Sequence, residues 1–540
     1  MHLALPINDP VSHPAIAVEH QSQVNYLRST REPDNYSDVG SRLAGLLSNH
    51  LHCSDNNIKD FTSAKALGMD SLMCMELRSD VEVIFGITVD LAPLMQASTF
   101  GELVNVVVNA ISLKSLVPET TETITLTSCS PSSQLSPKVG ESGHKNLSCT
   151  LPTVNRDCDF SLATRNFDIV SSDFEKLASE YGFAGFYDRV YEKNSGLVLA
   201  YTIEAFADLG VDLDTLSPGD SIPSVTVDPR HHHLRDVLYQ ILKHGGIANY
   251  NGRSYVRTSL PIATIPSSVL FKQIVTEFPQ HAKEHMLLNL CGSELGKLMA
   301  GIKDPLVLLF GSTTNRAILE DVYSTSPMYL TMSQLLTRFL EVTLTTATPG
   351  SQNAFHIIEI GAGTGSTTKW VVDRLLQLGI PIEYTFTDIS TSLVSAGKRK
   401  FSKYSCMKYA TVDVEKEPLP QYLGQFDIVL ATNCVHATRD LSHSLKNIYK
   451  LLRPTGFVCL VEFTSRMFWF DLVFGLLEGW WRFDDGRSYV LADPERWEKC
   501  MKNAGFSQVG WTGGSSRESE VVRVITAFKQ PVEDSQNPSQ

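Results

Sequence analysis

The 540-residue chain has ten cysteines but no C-x-x-C pair among them and no knuckle spacing. That excludes the common structural zinc patterns and leaves reduced thiols in a cytoplasmic setting as the simplest reading. Basic charge is also short: 46 Lys and Arg stand against 59 Asp and Glu, a net charge of -13, so no nucleic-acid surface is expected. There is no long uninterrupted apolar run. The richest stretch, residues 456–481, is broken by Glu462, Arg466, Asp471 and Glu478, charges that a bilayer span tolerates poorly, so no membrane segment is expected. The N-terminus, MHLALPINDP, has no basic region followed by a sustained apolar one, and a secretory signal is not expected.

What is present describes a globular protein of several domains: 43% of residues are hydrophobic and 19% charged, and domains run to roughly 100–200 residues. Residues 1–34 are polar with scattered prolines and read as a disordered lead. Residues 35–115 read as a compact helical unit. In DVGSRLAGLLSNHL, Val39, Leu43, Leu46 and Leu47 form one apolar face and Ser37 is a candidate cap. Further helices are expected over residues 71–85 and 100–113, the latter opened by Ser98 or Thr99 with Glu102 in the capping-box position. Between residues 31 and 113, five basic side chains face eleven acidic ones. Residues 116–157 are about half Ser, Thr and Pro and read as a mobile linker. Residues 158–345 carry helical patterns such as HHLRDVLYQILKHGG. Over residues 346–530, short β-rich runs (FHIIEI, EYTFTD, FDIVLA, GFVCLVEF) alternate with helical segments, the signature of a parallel doubly wound sheet. Residues 531–540 read as a disordered tail.

In LGMDSLMCMEL, Ser71 stands at a helix start, where a serine usually caps and contributes about 0.5–2 kcal/mol. Asp70 is better placed for that role. Ser71 is then left in the first turn, where a phosphodiester would meet free N–H groups and the positive end of the helix dipole. The pattern L-G-x-D-S-L resembles the attachment site of acyl carrier proteins. The resemblance implies a small all-α four-helix carrier domain over residues 35–115, with 4′-phosphopantetheine attached to Ser71 by a phosphopantetheinyl transferase.

A second motif is HIIEIGAGTGSTTKW, in which an apolar strand carries Glu359 near its end and Gly361, Gly363 and Gly365 make a tight turn before a helix. Such a turn lets a ligand approach the backbone and meet free N–H donors. A dinucleotide-binding loop is the rival, but it needs glycine where Ser366 stands. E-x-G-x-G-x-G resembles motif I of class I S-adenosylmethionine-dependent methyltransferases. The resemblance implies a Rossmann-like, seven-stranded α/β core closed by a hairpin from SQVGWTGG and EVVRVITAFK. It also implies S-adenosyl-L-methionine as cofactor, Asp388 at its ribose hydroxyls and Asp413 at its adenine amine.

His436, in NCVHAT after the fourth strand, and Glu462, in LVEFT on the fifth, both belong at strand ends that face the crevice of an open α/β sheet. Methylation of carbon needs a base, and a histidine oriented by a carboxylate suits that task. An ordinary loop histidine and a strand-edge charge are the plainer alternatives. The whole order of motifs resembles the acyl carrier and C-methyltransferase portion of fungal non-reducing polyketide synthases. That resemblance implies that His436 and Glu462 are a catalytic dyad and that Asn433 lies at the cofactor. It implies an α-helical lid subdomain over residues 158–345, with Tyr323 near cofactor and substrate and Tyr329 as its rival. The implied reaction is methyl transfer to the α-carbon of a β-ketoacyl thioester held on the carrier.

Methylation of oxygen or nitrogen, and a non-catalytic docking remnant, are the alternatives. No ketosynthase-type cysteine motif, G-H-S-x-G or G-x-S-x-G occurs in the chain. Ketosynthase and acyltransferase domains are therefore expected in trans or missing, the chain being a separate component, a fragment or a remnant. No metal is expected, since the consecutive His231, His232 and His233 point about 100° apart on a helix. The aromatic stretch MFWFDLVFGLLEGWW reads as a cover over an acyl pocket, or simply as core.

Overall fold

The computed structural model describes residues 36–51, 58–114, 160–347 and 354–529, apart from positions 66, 68, 161 and 264. The expected lead, nearly all of the linker and the tail lie outside the described residues. The first body consists of helices α1 (Tyr36–Leu51), α2 (Ser71–Phe85), α3 (Leu91–Gln96) and α4 (Phe100–Lys114). Asp70 holds an extended backbone and accepts the Met73 N–H at 2.7 Å, so it caps α2, and Gly86 closes the helix at φ 64°. At α4, Thr99 accepts the Glu102 N–H at 3.3 Å, and the Glu102 carboxylate reaches back to the Ser98 N–H at 2.6 Å. Ser37 does not cap α1. It lies within the first turn, where the Tyr36 hydroxyl anchors the helix to the Gly101 carbonyl. Leu43, Leu47, Leu77, Val81, Leu103 and Val107 close an apolar core separate from those of the rest of the molecule.

The region expected to be helical contains one small hairpin, β1 (Ala248–Tyr250) with β2 (Tyr255–Arg257), turning at Asn251-Gly252. The main sheet has seven strands: β3 (Phe355–Ile360), β4 (Ile382–Asp388), β5 (Met407–Thr411), β6 (Phe426–Thr432), β7 (Leu452–Phe463), β8 (Val509–Trp511) and β9 (Val522–Phe528). Their order is β5-β4-β3-β6-β7-β9-β8. The first five strands run parallel, and β9 pairs antiparallel with both β7 and β8. This is the expected class I methyltransferase fold.

Seven further helices matter here: α5 (Ala163–Ser171), α6 (Pro305–Phe310), α7 (Thr313–Thr325), α8 (Pro327–Thr346), α9 (Ser366–Gln377), α10 (Thr391–Lys400) and α11 (Leu441–Leu451). Successive strand residues point to opposite faces. Ile357 joins the core beneath the helical region, whereas Ile358 joins the one beneath α11. Helices α5 and α8 lie against the sheet, with Phe167 on Phe339 and Phe339 on Phe457 in edge-to-face contact. Residues 158–345 are thus not one uniform lid: their first and last helices cover the sheet, and α6 and α7 reach the ends of its strands.

Candidate active site

The glycine turn follows β3. Gly361, Gly363 and Gly365 all adopt positive φ, at 61°, 56° and 78°. A Cβ on Gly361 would lie 2.7 Å from Cys434. On Gly363 it would touch only the Gly361 carbonyl oxygen, at 3.9 Å, so that glycine presents bare backbone to a cavity of ≈ 200 Å³. Gly365 leads into α9, where a Cβ would lie 2.4 Å from Phe401. The cavity is closed from the sheet side by Glu359, Gly361, Gly363 and Asn433, and from the helical side by Leu319, Tyr323 and Tyr329.

Glu359 is fully buried, and its carboxylate accepts the Thr368 hydroxyl and, at 2.7 Å, the Tyr384 hydroxyl. Burial pushes its pKa up to about 7 against these stabilising bonds. Asp388, at the end of β4, braces the glycine turn. Its Oδ2 accepts the Gly363 N–H and its Oδ1 the Ser390 N–H, each at 2.9 Å. Burial raises its pKa, and these backbone donors oppose the rise. About four lone-pair sites on a carboxylate leave it further accepting capacity.

Asp413, expected at the adenine amine, does not line this cavity. Beyond β5 the chain turns toward α11, where Asn447 donates to the Val414 carbonyl at 2.9 Å, and Asp413 lines a separate cavity of ≈ 250 Å³. Its carboxylate pairs with Lys416 at 2.9 Å and accepts the Glu415 N–H at 3.0 Å.

Asn433 follows β6 at φ 48°, an uncommon conformation for a residue other than glycine. Its Oδ1 accepts the Phe463 N–H at 3.2 Å. Its buried Nδ2 and the buried Tyr329 hydroxyl have no hydrogen-bond partner among the described residues, and both residues line the cavity. Buried polar atoms without partners are costly, so a polar ligand here would satisfy them. Bare backbone, a braced turn and two unused polar groups fit S-adenosylmethionine. Tyr323 and Tyr329 meet edge to face at 4.9 Å. The residue expected from the sequence and its rival therefore share one wall, and Tyr329 carries the unused hydroxyl.

Three residues beyond Asn433, on the turn Val435–Ala437, His436 is 5% exposed and Glu462 is 0% exposed. Nδ1 of His436 lies 2.6 Å from Glu462 Oε2. Glu462 Oε1 accepts the Val435 N–H at 3.0 Å and the His436 N–H at 3.4 Å. The carboxylate thus holds both the ring and its backbone. The short contact assigns the proton to Nδ1 and leaves Nε2 as the basic atom.

Two further side chains support the dyad. Arg487 donates to the His436 and Thr438 carbonyls at 2.9 and 2.7 Å and pairs with Asp485 at 2.8 Å. Trp480 meets the imidazole edge to face at 5.6 Å, and its indole N–H donates to the buried Asp471 at 3.2 Å. Both reach His436 from more than 40 residues along the chain, Arg487 from outside any motif and Trp480 from the end of the aromatic stretch. The aromatic stretch is divided: Trp469 and Phe470 are core, whereas Phe474 and Trp480 stack between Tyr323 and His436. Of the three consecutive histidines, His231 is buried and His233 stacks on Trp481, so they diverge.

Three family profiles match the chain: a phosphopantetheine attachment site over residues 41–107, a methyltransferase helix-turn-helix domain over 169–255 and a methyltransferase domain over 358–458. Fold and site define a class I S-adenosylmethionine-dependent methyltransferase joined to a carrier domain. Among solved structures, the citrinin polyketide synthase CMeT domain is 35% identical at a TM-score of 0.68, with 69% of this chain and 98% of that one covered. The CurJ carbon methyltransferase is 26% identical at a TM-score of 0.62, with 69% and 100% covered. The non-reducing polyketide synthase pkbA of Emericella nidulans is 40% identical over 532 residues, which is 98% of this chain and 20% of the synthase. The 5-methylorsellinic acid synthase of Aspergillus terreus is 37% identical over 510 residues, 94% of this chain and 20% of that protein. The chain belongs to the carbon-methyltransferase family of polyketide synthases. It spans about a fifth of the length of the curated relatives it matches.

Proposed function

We propose that this chain methylates the α-carbon of a β-ketoacyl thioester carried on its own first domain, as one component of polyketide biosynthesis. The observation that carries the reading is the buried His436–Glu462 pair beside the glycine-turn cavity. A carbon acid must give its proton to a positioned base to become a nucleophile, which the buried pair can take, whereas an amine nitrogen attacks through its own lone pair and needs positioning more than a base. S-Adenosylmethionine, when bound, supplies an electrophilic methyl group. Gly361, Gly363, Asp388, Asn433 and the Tyr323–Tyr329 wall would hold it. Ser71, partly exposed at the first position of α2, would hold the phosphopantetheine arm and, through its thiol, the acyl chain.

His436 Nε2 takes the proton from the carbon between the two carbonyl groups, and Glu462 supports the resulting imidazolium and keeps the ring in place. Arg487 and Trp480 restrict the turn and the ring, so little reorganisation is needed at the moment of proton transfer. Ketosynthase and acyltransferase activities would come from partner domains, and a phosphopantetheinyl transferase would load Ser71. A cytoplasmic location belongs to the same reading and is supported by the unpaired thiols of Cys74, Cys291 and Cys459.

The test is intact mass spectrometry of the phosphopantetheinylated chain loaded with an acetoacetyl group. A gain of one methyl, dependent on S-adenosylmethionine, is expected. His436→Ala should keep cofactor binding and lose that gain. Full activity of the variant would overturn the mechanism and favour an oxygen or nitrogen acceptor.

A further inference from the structure

The carrier domain rests against the methyltransferase at one particular place. Helix α2 meets both α6 and α10, and α1 also packs on α10. Two polar contacts fix the register. Arg316, on α7, donates to Glu76 of α2 at 2.7 Å, with side chains 30% and 13% exposed. The Ser390 hydroxyl donates to Asp70 Oδ2 at 2.7 Å while Asp70 Oδ1 caps α2. Ser390 is the residue whose backbone N–H braces Asp388. Moreover, α6, α7 and α10 contribute Phe310, Leu319 and Leu393 to the wall of the glycine-turn cavity. The carrier is therefore seated on the rim of that cavity, and the residue after Asp70 is Ser71.

The seat also explains why an arm is needed. Ser390 lies just beyond β4, whereas Glu462 lies on β7, three strand steps across the sheet. At about 4.8 Å per step, that separation is roughly 14 Å. Ser71 follows Asp70 and so is held on the β4 side of the sheet, and a flexible extension must cross to the imidazole.

We propose that this face, anchored by Arg316 with Glu76 and set in register by Ser390 with Asp70, is the delivery seat from which the carrier presents its acyl chain. The proposal rests on the function proposed above. A tethered domain already has a high effective concentration, so such contacts need only select an orientation. A partly buried ion pair suits that task, since charge complementarity favours one register and like charges oppose it.

The experiment compares the wild-type chain, R316E and the double variant R316E/E76R, each loaded with an acetoacetyl group on Ser71. Each is also supplied with the free acetoacetyl thioester of pantetheine. In R316E, methylation of the carrier-bound chain should fall about tenfold or more, since like charges then face each other. Methylation of the free thioester should stay at the wild-type rate, and the double variant should recover the carrier-bound rate. No loss in R316E, an equal loss on the free thioester or no recovery in the double variant would overturn the seat. A wild-type chain that methylates neither substrate would instead overturn the underlying function.

Discussion

At the scale of single residues, the site is a set of buried polar groups whose partners are accounted for with few exceptions, and the exceptions face the cavity. Glu462 spends one oxygen on the His436 ring and the other on backbone N–H groups. In Glu462→Gln the amide would offer a donor where the ring needs an acceptor and would favour the wrong tautomer. The methylation rate should drop about 10²–10⁴-fold with cofactor affinity retained, as read by single-turnover kinetics and calorimetric titration. Glu359 offers a test by pH. Burial holds its pKa at about 7, against 4.5 for an ordinary glutamate. The folded state therefore binds the proton more tightly, and this group's contribution to stability falls as pH rises from 4.5 to 7 and is flat above. Glu359→Gln should gain about 3 kcal/mol on the wild type across that window, measured by urea unfolding at a series of pH values. The acidic and histidine residues were legible because each sits at a recognisable strand end. Arg487 was not, because nothing in its local sequence distinguishes it from a surface arginine, and Tyr329 and Trp480 were legible only as a rival to Tyr323 and as part of an aromatic stretch.

At the scale of elements, local rules account for most of the outcome. Asp70 rather than Ser71 caps α2, as side-chain reach predicts, and the β-rich runs became central strands of the parallel sheet. The hairpin β1–β2 was missed, although Asn251-Gly252 is a strong turn signal, because its strands are only three residues each. Asp413 was expected at the adenine amine of the cofactor from its order after β5; the preceding Val412 N–H meets the Asp388 carbonyl at 3.0 Å, and Asp413 itself lines a second cavity on the side of α11. Within the β3–turn–α9 unit, Gly361→Ala would combine a left-handed backbone with a clash against Cys434. It should weaken S-adenosylmethionine binding about tenfold or more and cost about 1–3 kcal/mol of stability, seen by titration and by thermal unfolding.

At the scale of the molecule, there are separate apolar cores joined by a rim contact. Leu77 is fully buried in the carrier core and touches none of the methyltransferase cores. Leu77→Ala should destabilise the carrier by about 2–5 kcal/mol. Differential scanning calorimetry should show one transition moved down and the larger one unchanged. Among the described residues no helix is long and apolar enough to cross a membrane, in line with the charges that interrupt residues 456–481. The chain taken alone already carries its carrier motif, its glycine turn and its alternating strands, since caps, turns and periodicity act over a few residues. Folding added the contacts between distant segments: the Tyr323–Tyr329 wall facing Gly363 and Asn433 across the cavity, the Arg487 brace on His436 and the seat of α2 on the cavity rim. Those depend on how helices and loops tens to hundreds of residues apart come to share one volume, and that depends on packing the whole core at once.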